Sequence, residues 1–494
     1  MKLGDLLTFA PLSPSFSDYE IDLITENSAK AAKNTLFVCI SGSRADGHAY
    51  APDAYAKGCR VFLAERALSL PDDACVILVE STRQALAHLA CQWYGHPSHR
   101  MHLIGITGTK GKTTTAQLLS HILNESGIPC GYIGTNGIEY RDARLHTKNT
   151  TPDAMTLQST LSDMLSVGVS CAVIEVSSQA ILQHRVAGMH FETVLFTNLS
   201  PDHIGENEHA DFADYAACKH RLFTDFGANN LIYNADDPSA GAMIRNTSAS
   251  TVRSCSMSKV AADFSVSDTR LEDIQNTLGI SFEVRSTKGS AVCSLPLIGK
   301  INASNAMLAM ATANAVFGIS LLESAKALPT ARVSGRSELI MLPNQAFAVI
   351  DYAHNGESLT KILGELKEYR PNRLIVLFGS IGGRAQLRRA ELGHAAASLS
   401  DLCILTSDNP ADEDPEAIID DIAKAFAGYS TPYVRIVDRE EAIRYALRIV
   451  QSGDIILFAG KGHEEYQLIG KEALPFSEKD IIMREIQKQR AFMT

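Results

Sequence analysis

One stretch of the chain reads Gly-Ile-Thr-Gly-Thr-Lys-Gly-Lys-Thr-Thr-Thr from Gly105 to Thr115. An apolar run enters it and a helix-like run, 116–124, leaves it, as in phosphate-binding loops of α/β proteins. Glycines let backbone N–H groups approach an anion, the helix N-terminus adds positive potential, and lysine and threonine suit phosphate and Mg2+. The stretch therefore predicts a nucleoside triphosphate site; the alternative is a Gly/Thr-rich turn between a strand and a helix.

The spacing is shorter than in the general phosphate-loop motif. That motif places a glycine where this chain has Ile106, and the fit here is Gly108-x-x-Gly111-Lys112-Thr113. The shortened form is more restrictive than the general motif, so it indicates function more specifically.

Composition indicates an ordinary globular protein. A chain of 494 residues exceeds one core, so about two to four domains are expected. Hydrophobic residues make up 45% and charged residues 20%, and no segment approaches the roughly twenty apolar residues of a membrane span. The N-terminus is interrupted by acids and does not resemble a secretion signal, so we expect a cytoplasmic protein.

The net charge and the spacing of the cysteines limit the kinds of ligand and partner that the sequence predicts. The net charge of -11 disfavours binding to nucleic acid or to a membrane, although small anions stay plausible ligands. The 10 cysteines are scattered without a Cys-x-x-Cys pair, which argues against zinc and against a disulfide framework. We expect reduced cysteines that serve in packing.

Pro, Ser and Gly interrupt the apolar pattern near 96–98 and near 331–335. We therefore expect three domains at 1–98, 99–331 and 332–494. The first is a small α/β domain. The second is a parallel nucleotide-binding sheet with strands at 130–133, 172–176 and 194–198 and a few antiparallel strands appended over 250–298. The third alternates strands and helices, as in a Rossmann-like doubly wound sheet whose ligands bind at the carboxyl ends of its strands.

Polar side chains follow two strands of the second domain. Glu175 ends one apolar run, and Asp202-His203 follows another. Both strand ends are expected to face the phosphate loop, where a carboxylate, an imidazole and the Thr113 hydroxyl would suit Mg2+ bridging ATP phosphates to a second substrate. Taken alone, His203 is more typical of a surface or packing histidine.

Seven motifs together resemble those of the Mur ligases of peptidoglycan synthesis, over essentially the whole chain and in that family's order. They are Thr107-Gly108-Thr109-Lys110-Gly111-Lys112-Thr113-Thr114, Asn149-Thr150-Thr151-Pro152, Glu175-Val176-Ser177-Ser178, Gln183-His184-Arg185, Thr197-Asn198-Leu199-Ser200-x-Asp202-His203, Gly335-Arg336-x-Glu338 and Asp351-Tyr352-Ala353-His354. Within the family they are similar to the members that form the muramoyl tripeptide. The resemblance makes the first domain UDP-binding, the second ATP-binding and the third amino-acid-binding.

The resemblance implies catalytic, ATP and metal roles for specific residues. The ATP-binding positions are Gly108, Thr109, Lys110, Gly111, Lys112, Thr113, Thr114, Asn302, Asn305, Arg336, Asp351 and His354. The magnesium positions are Thr113, Glu175, His203 and Lys219, and the catalytic ones are Lys112, Lys219, His203 and Arg336. Lys219 matches a carbamylated lysine, N6-carboxylysine, which turns a cation into an anionic Mg2+ ligand. The residues alone would place Lys219 on a helix surface.

The other two substrates are expected to bind elsewhere. Positions matching those that hold the nucleotide-sugar peptide are Ser28, Thr150, Thr151, Ser177, Gln183 and Arg185. A turn with helix capping is the alternative explanation for the Thr-Pro-Asp segment. Positions matching the amino-acid site are Arg384, Asp408, Asn409, Pro410, Ala411, Gly460 and Glu464.

Position 411 bears on which amino acid is added. Diaminopimelate-adding members resemble Asp-Asn-Pro-Arg, whereas this chain has Ala411 followed by three acids, 412–414. An unpaired second carboxylate would be poorly tolerated there, so we predict L-lysine. Ornithine is close behind, and meso-diaminopimelate is the alternative if another cation, Arg388 or Lys461, swings in.

The implied reaction is ATP-dependent amide formation, releasing ADP and phosphate. The chain would add the diamino acid to UDP-N-acetylmuramoyl-L-alanyl-D-glutamate through an acyl phosphate, as a monomer acting on small molecules. Competing readings are a sister ligase such as folylpolyglutamate synthetase and a catalytically silent nucleotide-binding regulator. The latter is motivated by departures from the family pattern at 27–29, 204–209 and 383–385.

Overall fold

The protein is described by a computed structural model that covers residues 1–10, 12–42, 45–202, 204–205, 209–258, 261–274, 278–333, 338–383 and 386–493. The chain forms two compact units. The first comprises Met1–Ala116 and Leu123–Ser254, and the second comprises Gln117–Ile122 and Cys255–Thr494. The mixed α/β class is confirmed, and the domain limits at 98/99 and 331/332 stay predictions.

A small parallel sheet opens the first unit. Its strands, in sheet order, are β1 (Leu23–Thr25), β2 (Thr35–Val38), β3 (Val61–Ala64) and β4 (Cys75–Leu78). The helices here are α1 (Leu3–Leu6), α2 (Ala51–Ala56) and α3 (Thr82–Trp93). Strands β2 and β3 are buried along their whole length, as expected of central strands in a parallel sheet.

The phosphate loop belongs to a larger sheet in the same unit. Its strands are β5 (His102–Thr107), β6 (Cys130–Gly134), β7 (Gly137–Tyr140), β8 (Ala143–Leu145), β9 (Cys171–Glu175), β10 (Thr193–Phe196), β11 (Asn230–Asn234) and β12 (Thr251–Ser256). The helices are α4 (Lys112–Glu125), α5 (Ala154–Ser166), α6 (Ser178–Leu182), α7 (Phe212–Thr224) and α8 (Ala240–Met243). Strand β5 lies between β10 and β9 and is parallel to both. The carboxyl ends of β9 and β10 therefore flank the phosphate loop, as predicted.

The second unit begins with antiparallel strands. They are β13 (Phe264–Asp273), β14 (Leu278–Ser286) and β15 (Gly289–Leu295), followed by α9 (Ile301–Phe317) and α10 (Leu321–Ala327). The antiparallel strands expected over 250–298 are confirmed for β13, β14 and β15, whereas Cys255 and Ser256, in the second unit, pair with the start of β13 in parallel.

A doubly wound sheet completes this unit. Its strands are β16 (Glu338–Met341), β17 (Phe347–Asp351), β18 (Leu374–Phe378), β19 (Leu402–Leu405), β20 (Tyr433–Arg435) and β21 (Ile455–Ala459), followed by the hairpin β22 (Tyr466–Ile469) and β23 (Glu472–Pro475). The helices are α11 (Gly356–Glu368), α12 (Gln386–Leu399), α13 (Pro415–Lys424), α14 (Arg439–Ile449) and α15 (Glu478–Met493). The order β16-β17-β21-β18-β19-β20 is parallel except at β16.

Separate apolar clusters cover the two faces of this sheet. Helices α11, α12 and α13 pack on one cluster, and α14 and α15 pack on the other. This arrangement confirms the predicted Rossmann-like layering, and it leaves the carboxyl ends of β17, β18, β19 and β21 at one edge.

Two predictions from composition can be compared with the structure. All ten cysteines are unpaired and buried, which confirms the packing role. Within the described part of the chain, no helix combines the length and the apolar character needed to cross a membrane.

A half-buried acid, Glu365, makes the stability of this unit pH-dependent. Glu365 of α11 packs so closely on Gly299 that a Cβ there would lie 2.2 Å from its Oε2 atom. Burial raises the pKa of Glu365 to about 7; Asp351 and Glu368 add to the rise, and Lys361 opposes it. The folded state therefore holds this proton more tightly than the unfolded chain. That contribution to stability is full below the ordinary pKa and is lost as pH rises towards 7.

We expect Glu365→Gln to raise the free energy of unfolding by roughly 2 kcal/mol at pH 8 and to leave it unchanged at pH 4, because glutamine removes the cost of the buried charge. Urea unfolding at both pH values measures the difference. Glu357→Gln, at an exposed position of the same helix, is the control. Equal effects of Glu365→Gln at pH 4 and pH 8 would contradict the assignment.

Candidate active site

The phosphate loop connects β5 to α4 through two glycines with positive φ, 148° at Gly108 and 85° at Gly111. A Cβ at position 108 would lie 2.0 Å from Thr197 Oγ1, so only glycine fits there. The Lys112 ammonium donates to the carbonyl oxygens of Gly108 and Thr109 at 2.8 Å and 2.9 Å. The loop thus gathers backbone N–H groups, a helix N-terminus and a cation in one place.

The end of β10 holds the loop in shape. Asn198 accepts from the Lys110 amide at 2.9 Å and donates to the Lys110 carbonyl at 2.8 Å. Thr197 Oγ1 donates to that same carbonyl at 2.7 Å. Sequence reasoning gave these two residues no role, although polar side chains directly after a buried strand were a usable signal.

Glu175 is a fully buried carboxylate at the end of β9. It accepts hydrogen bonds from Thr113 Oγ1 at 2.9 Å, from the Tyr132 hydroxyl at 2.6 Å, and from the Thr135 amide at 3.0 Å. These donors are neutral, so the negative charge is not balanced by a cation in this set. The pairing of a carboxylate with the Thr113 hydroxyl fits Mg2+, which prefers oxygen ligands.

The predicted magnesium set is only partly described. His203 lies outside the described residues, and within them no group of three or more His, Cys, Asp or Glu side chains is placed to hold a metal ion. Of the predicted magnesium positions, the structure describes Thr113, Glu175 and Lys219.

Lys219 is buried in α7, which excludes the helix-surface position that the residues alone would suggest. Its ammonium donates to the Gly108 carbonyl at 2.8 Å and lies 4.6 Å from the centre of the Tyr215 ring. Burial, and secondly the nearby Lys112, lower the pKa of Lys219 well below its usual value. Two lysine side chains thus converge on one carbonyl oxygen of the phosphate loop.

The residues predicted for the nucleotide-sugar peptide, apart from Ser28, form one cluster beside Glu175. Arg185 donates to the Thr151 carbonyl at 2.8 Å and to Gln183 Oε1 at 2.7 Å. Thr151 Oγ1 donates to the Glu175 carbonyl at 2.7 Å. Thr150 joins the cluster indirectly: its Oγ1 lies 3.1 Å from that of Thr135, which donates to the Glu175 carboxylate at 3.2 Å.

The capping alternative also holds for part of this region. Ser177 accepts from the Ala180 amide at the start of α6, and Asp153 accepts from the Thr156 amide at the start of α5. Ser28 begins a separate short turn, 28–30, capped by Asn27, and its carbonyl accepts from Lys57 at 2.8 Å.

The remaining ATP candidates belong to the second unit. Asn302 and Asn305 are buried in α9, where Asn305 donates to Asn302 Oδ1 at 2.9 Å and Asn302 donates to the Ile298 carbonyl at 2.7 Å. Asp351 ends β17, and the ring of His354 lies 4.7 Å from that of Tyr352. Arg336 lies outside the described residues.

The candidate amino-acid residues converge at the carboxyl edge of the doubly wound sheet. Lys461 is completely buried there, and its ammonium contacts Asn409 Oδ1 at 2.9 Å, Glu464 Oε2 at 3.0 Å and Asp408 Oδ1 at 3.4 Å. A Cβ on Gly460, at φ 111°, would approach Asp408 Oδ2 to 2.9 Å. Gly382 packs closer still, because a Cβ there would lie 1.9 Å from the Pro410 carbonyl oxygen.

Two of the three acids that follow Ala411 have partners of their own. Glu413 is paired with buried Arg389 at 2.6 Å and accepts from the Gly383 amide at 2.9 Å. Asp414 caps α13 by accepting from the Glu416 amide. Lys461 is bound on three sides and is not a spare cation. Arg388 is half-buried and has no ion pair within the described residues, whereas Arg384 lies outside them.

Three family models match successive parts of the chain. The Mur ligase family catalytic domain matches residues 20–94, the Mur ligase middle domain matches 106–313, and the Mur ligase glutamate ligase domain matches 335–462.

Relatives match along the full length. A UDP-N-acetylmuramoyl-L-alanyl-D-glutamate--2,6-diaminopimelate ligase of Listeria innocua is 37% identical and covers 97% of both chains. The ligase of the same name from Geobacillus kaustophilus is 35% identical and covers 98% of this chain and 99% of its own. The names of both relatives contain diaminopimelate. On the sequence alone this amino acid is the alternative, whereas L-lysine is the predicted acceptor.

Solved structures agree on the fold. One of a ligase with that same name superimposes with a TM-score of 0.73 at 27% identity over 99% of both chains. The MurF ligase of Thermotoga maritima in complex with ADP shares the fold, with a TM-score of 0.63 at 17% identity over 95% of this chain and 99% of its own. The chain therefore belongs to the Mur ligase family of peptidoglycan synthesis and is an ATP-dependent acid–amino-acid ligase.

Proposed function

We propose that the chain uses ATP to join 2,6-diaminopimelate to UDP-N-acetylmuramoyl-L-alanyl-D-glutamate. The observation that carries this proposal is the convergence of Lys112 and Lys219 on the Gly108 carbonyl, next to the buried Glu175–Thr113 pair. Cations, oxygen ligands and a glycine loop so arranged suit a polyphosphate and a second anionic substrate.

ATP phosphates are assigned to the glycine loop and Lys112. Magnesium would be held by Thr113 and Glu175 together with His203 and carbamylated Lys219, and when bound it would neutralise charge between the anionic reactants. Asn302, Asn305, Arg336, Asp351 and His354 complete the proposed ATP contacts. Domain limits at 98/99 and 331/332 would then separate UDP-, ATP- and amino-acid-binding domains.

The reaction proceeds through an acyl phosphate. A carboxylate oxygen of D-glutamate attacks the γ-phosphorus of ATP, and ADP leaves with the electron pair of the broken P–O bond. The acceptor amine then attacks the acyl carbon, phosphate leaves, and the amine loses a proton. A carboxylate is already a competent nucleophile, so the protein aligns the reactants and offsets their repulsion.

Arg185 suits the carboxylates of the muramoyl peptide. Its side chain is half-buried, and its Nη1 and Nη2 groups already donate to the Thr151 carbonyl and to Gln183 Oε1. An arginine fixed in this way presents its remaining N–H groups in a defined direction, which favours a planar anion.

The acceptor assignment rests on the named relatives and on the local charges. Glu413 is paired with Arg389, and Asp414 caps α13, so these two acids disfavour a second carboxylate at Ala411 less than the sequence suggested. Half-buried Arg388 adjoins Arg389 in α12 and is a candidate partner for that carboxylate. L-Lysine is the second candidate, because Ala411 itself supplies no cation.

Turnover with a panel of acceptors tests the proposal. With ATP, Mg2+ and the muramoyl dipeptide, we expect kcat/KM for meso-diaminopimelate to exceed that for L-lysine and ornithine, with phosphate released in step with amide. A preference for L-lysine would overturn the acceptor but keep the reaction class. No phosphate release with any acceptor would favour a silent regulator.

Position 411 offers a direct test of acceptor charge. We expect Ala411→Arg to raise the kcat/KM ratio of meso-diaminopimelate to L-lysine at least about tenfold, because the new guanidinium pairs with the distal carboxylate. Ala411→Gln, similar in length but uncharged, is the matched control. Equal ratios in the two variants would show that position 411 does not face the acceptor.

Lys219 offers a test of the modification. Attack of its neutral amine on CO2 forms an N–C bond and releases one proton, leaving a carbamate. With 13C-bicarbonate we expect a carbamate carbon signal in the wild type that Lys219→Arg lacks, and a loss of kcat in that variant of about a hundredfold or more. Exposed Lys326→Arg is the control. Full activity of Lys219→Arg would exclude the assigned role.

A further inference from the structure

Arg439 is a completely buried arginine at the first position of α14. Its guanidinium donates to the Ser407 carbonyl at 3.0 Å and to the Ala459 carbonyl at 2.8 Å. These carbonyls follow β19 and end β21, and β18 lies between those two strands. One side chain therefore ties together two strand ends that do not pair with each other.

Glu478, the first residue of α15, holds this arginine in place. Its Oε1 atom accepts from Arg439 Nε at 2.9 Å, and the carboxylate is buried. Within the described residues, its Oε2 atom is buried without a hydrogen-bond partner. A buried charge with one unpartnered oxygen is costly, so stability alone is a weak reason for this pair.

Both tied carbonyls directly precede the candidate amino-acid residues. Ser407 is followed by Asp408 and Asn409, and Ala459 is followed by Gly460 and Lys461. The two segments meet where the Lys461 ammonium contacts Asn409 and Asp408. A shift of either strand end would break these contacts.

We propose that Arg439 and Glu478 are positioning residues that set the spacing of the 408–411 and 460–464 loops and thereby the affinity for the acceptor amino acid. The inference rests on the proposed function, since it takes these loops as the acceptor site. Neither residue touches the acceptor; both act through the backbone that carries Asp408 and Lys461.

An arginine is needed for this geometry. Its planar fork reaches two carbonyls and a carboxylate at once, whereas a lysine ammonium is a single point charge on a flexible stem. Small displacements of groups that hold a substrate are costly, because misplacement by about 1 Å can reduce turnover about a hundredfold.

A second arginine–carboxylate pair in the same sheet provides a matched control. Arg373 donates to Asp454 Oδ2 and to the Ile449 carbonyl, and Asp454 is buried. These residues precede β18 and β21, so they lie at the amino edge of the sheet, away from the candidate acceptor loops. Asp454→Asn should destabilise the domain without moving those loops.

The test compares Arg439→Lys and Glu478→Gln with Asp454→Asn. We expect the first two to raise the KM for the acceptor at least about tenfold, with the KM for ATP within about twofold of wild type. Asp454→Asn, at a similar loss in Tm, should leave both KM values unchanged. Hydrogen exchange should quicken at the amides of Gly460, Ala411 and Leu468 in the first two variants only.

Each other outcome counts against the inference. Faster exchange spread evenly over the domain, or KM values that change alike in all three variants, would reduce the pair to a structural role. An unchanged KM for the acceptor would also leave the pair with only a structural role, even if Tm fell. If the wild type turns over no acceptor, the proposed function fails, whereas the exchange data still report whether the pair fixes the loops.

Discussion

The convergence of two lysine side chains on one backbone oxygen is the constraint on which the ATP-binding region depends. Lys112 and Lys219 both reach the Gly108 carbonyl at 2.8 Å, the first from the start of α4 and the second from the buried side of α7. Like charges held this closely raise the free energy of the folded protein unless an anion or a change of charge relieves them. A bound polyphosphate would relieve the repulsion, and so would the proposed carbamylation of Lys219, which replaces its positive charge by a negative one. The same crowding that costs stability thus favours substrate binding.

At the proposed acceptor site, the buried positive charge is balanced by neighbouring carboxylates. Lys461 is enclosed by Asp408, Asn409 and Glu464, so its cation is balanced within the protein. Tyr352, next to Asp351, donates to Glu464 at 3.4 Å and links this cluster to the end of β17. At the proposed acceptor site, recognition would then come from groups at the rim of the cluster. Residue 411 was the basis of the L-lysine prediction, whereas the names of the relatives carry diaminopimelate.

Strands and loops with strong local patterns were predictable from the sequence. The runs 61–64 and 374–378 are continuous and apolar, and the structure has strands with those limits. The hairpins β7–β8 and β22–β23 were missed, because the strands β8 and β23 are short and mainly exposed and leave no apolar alternation to detect. The phosphate loop and the Asp408 segment were found for a similar reason, since glycine and turn residues there follow buried strands.

Charged residues that tertiary structure buries could not be predicted in this way. Arg439 stands in the run Asp438-Arg439-Glu440-Glu441, which has the composition of a solvated helix start, and Glu478 likewise opens an amphipathic helix. Nothing local distinguishes them from exposed neighbours such as Glu441. Only the packing of α14 and α15 on one face of the sheet brings these helix starts together above the ends of β19 and β21.

Close backbone approach explains why glycine recurs at both regions. At Gly108 a side chain would collide with Thr197, at Gly460 with Asp408, and at Gly382 with the Pro410 carbonyl. In each case the glycine lets a second segment come within hydrogen-bonding reach of a functional loop, at the cost of chain entropy on folding. Gly382, for example, donates from its amide to the Asn409 carbonyl at 2.9 Å. A methyl group at Gly108 or Gly382 would meet backbone atoms, which cannot move aside as the Asp408 carboxylate can at Gly460, so the hydrogen bonds at these two positions depend on the absence of a side chain.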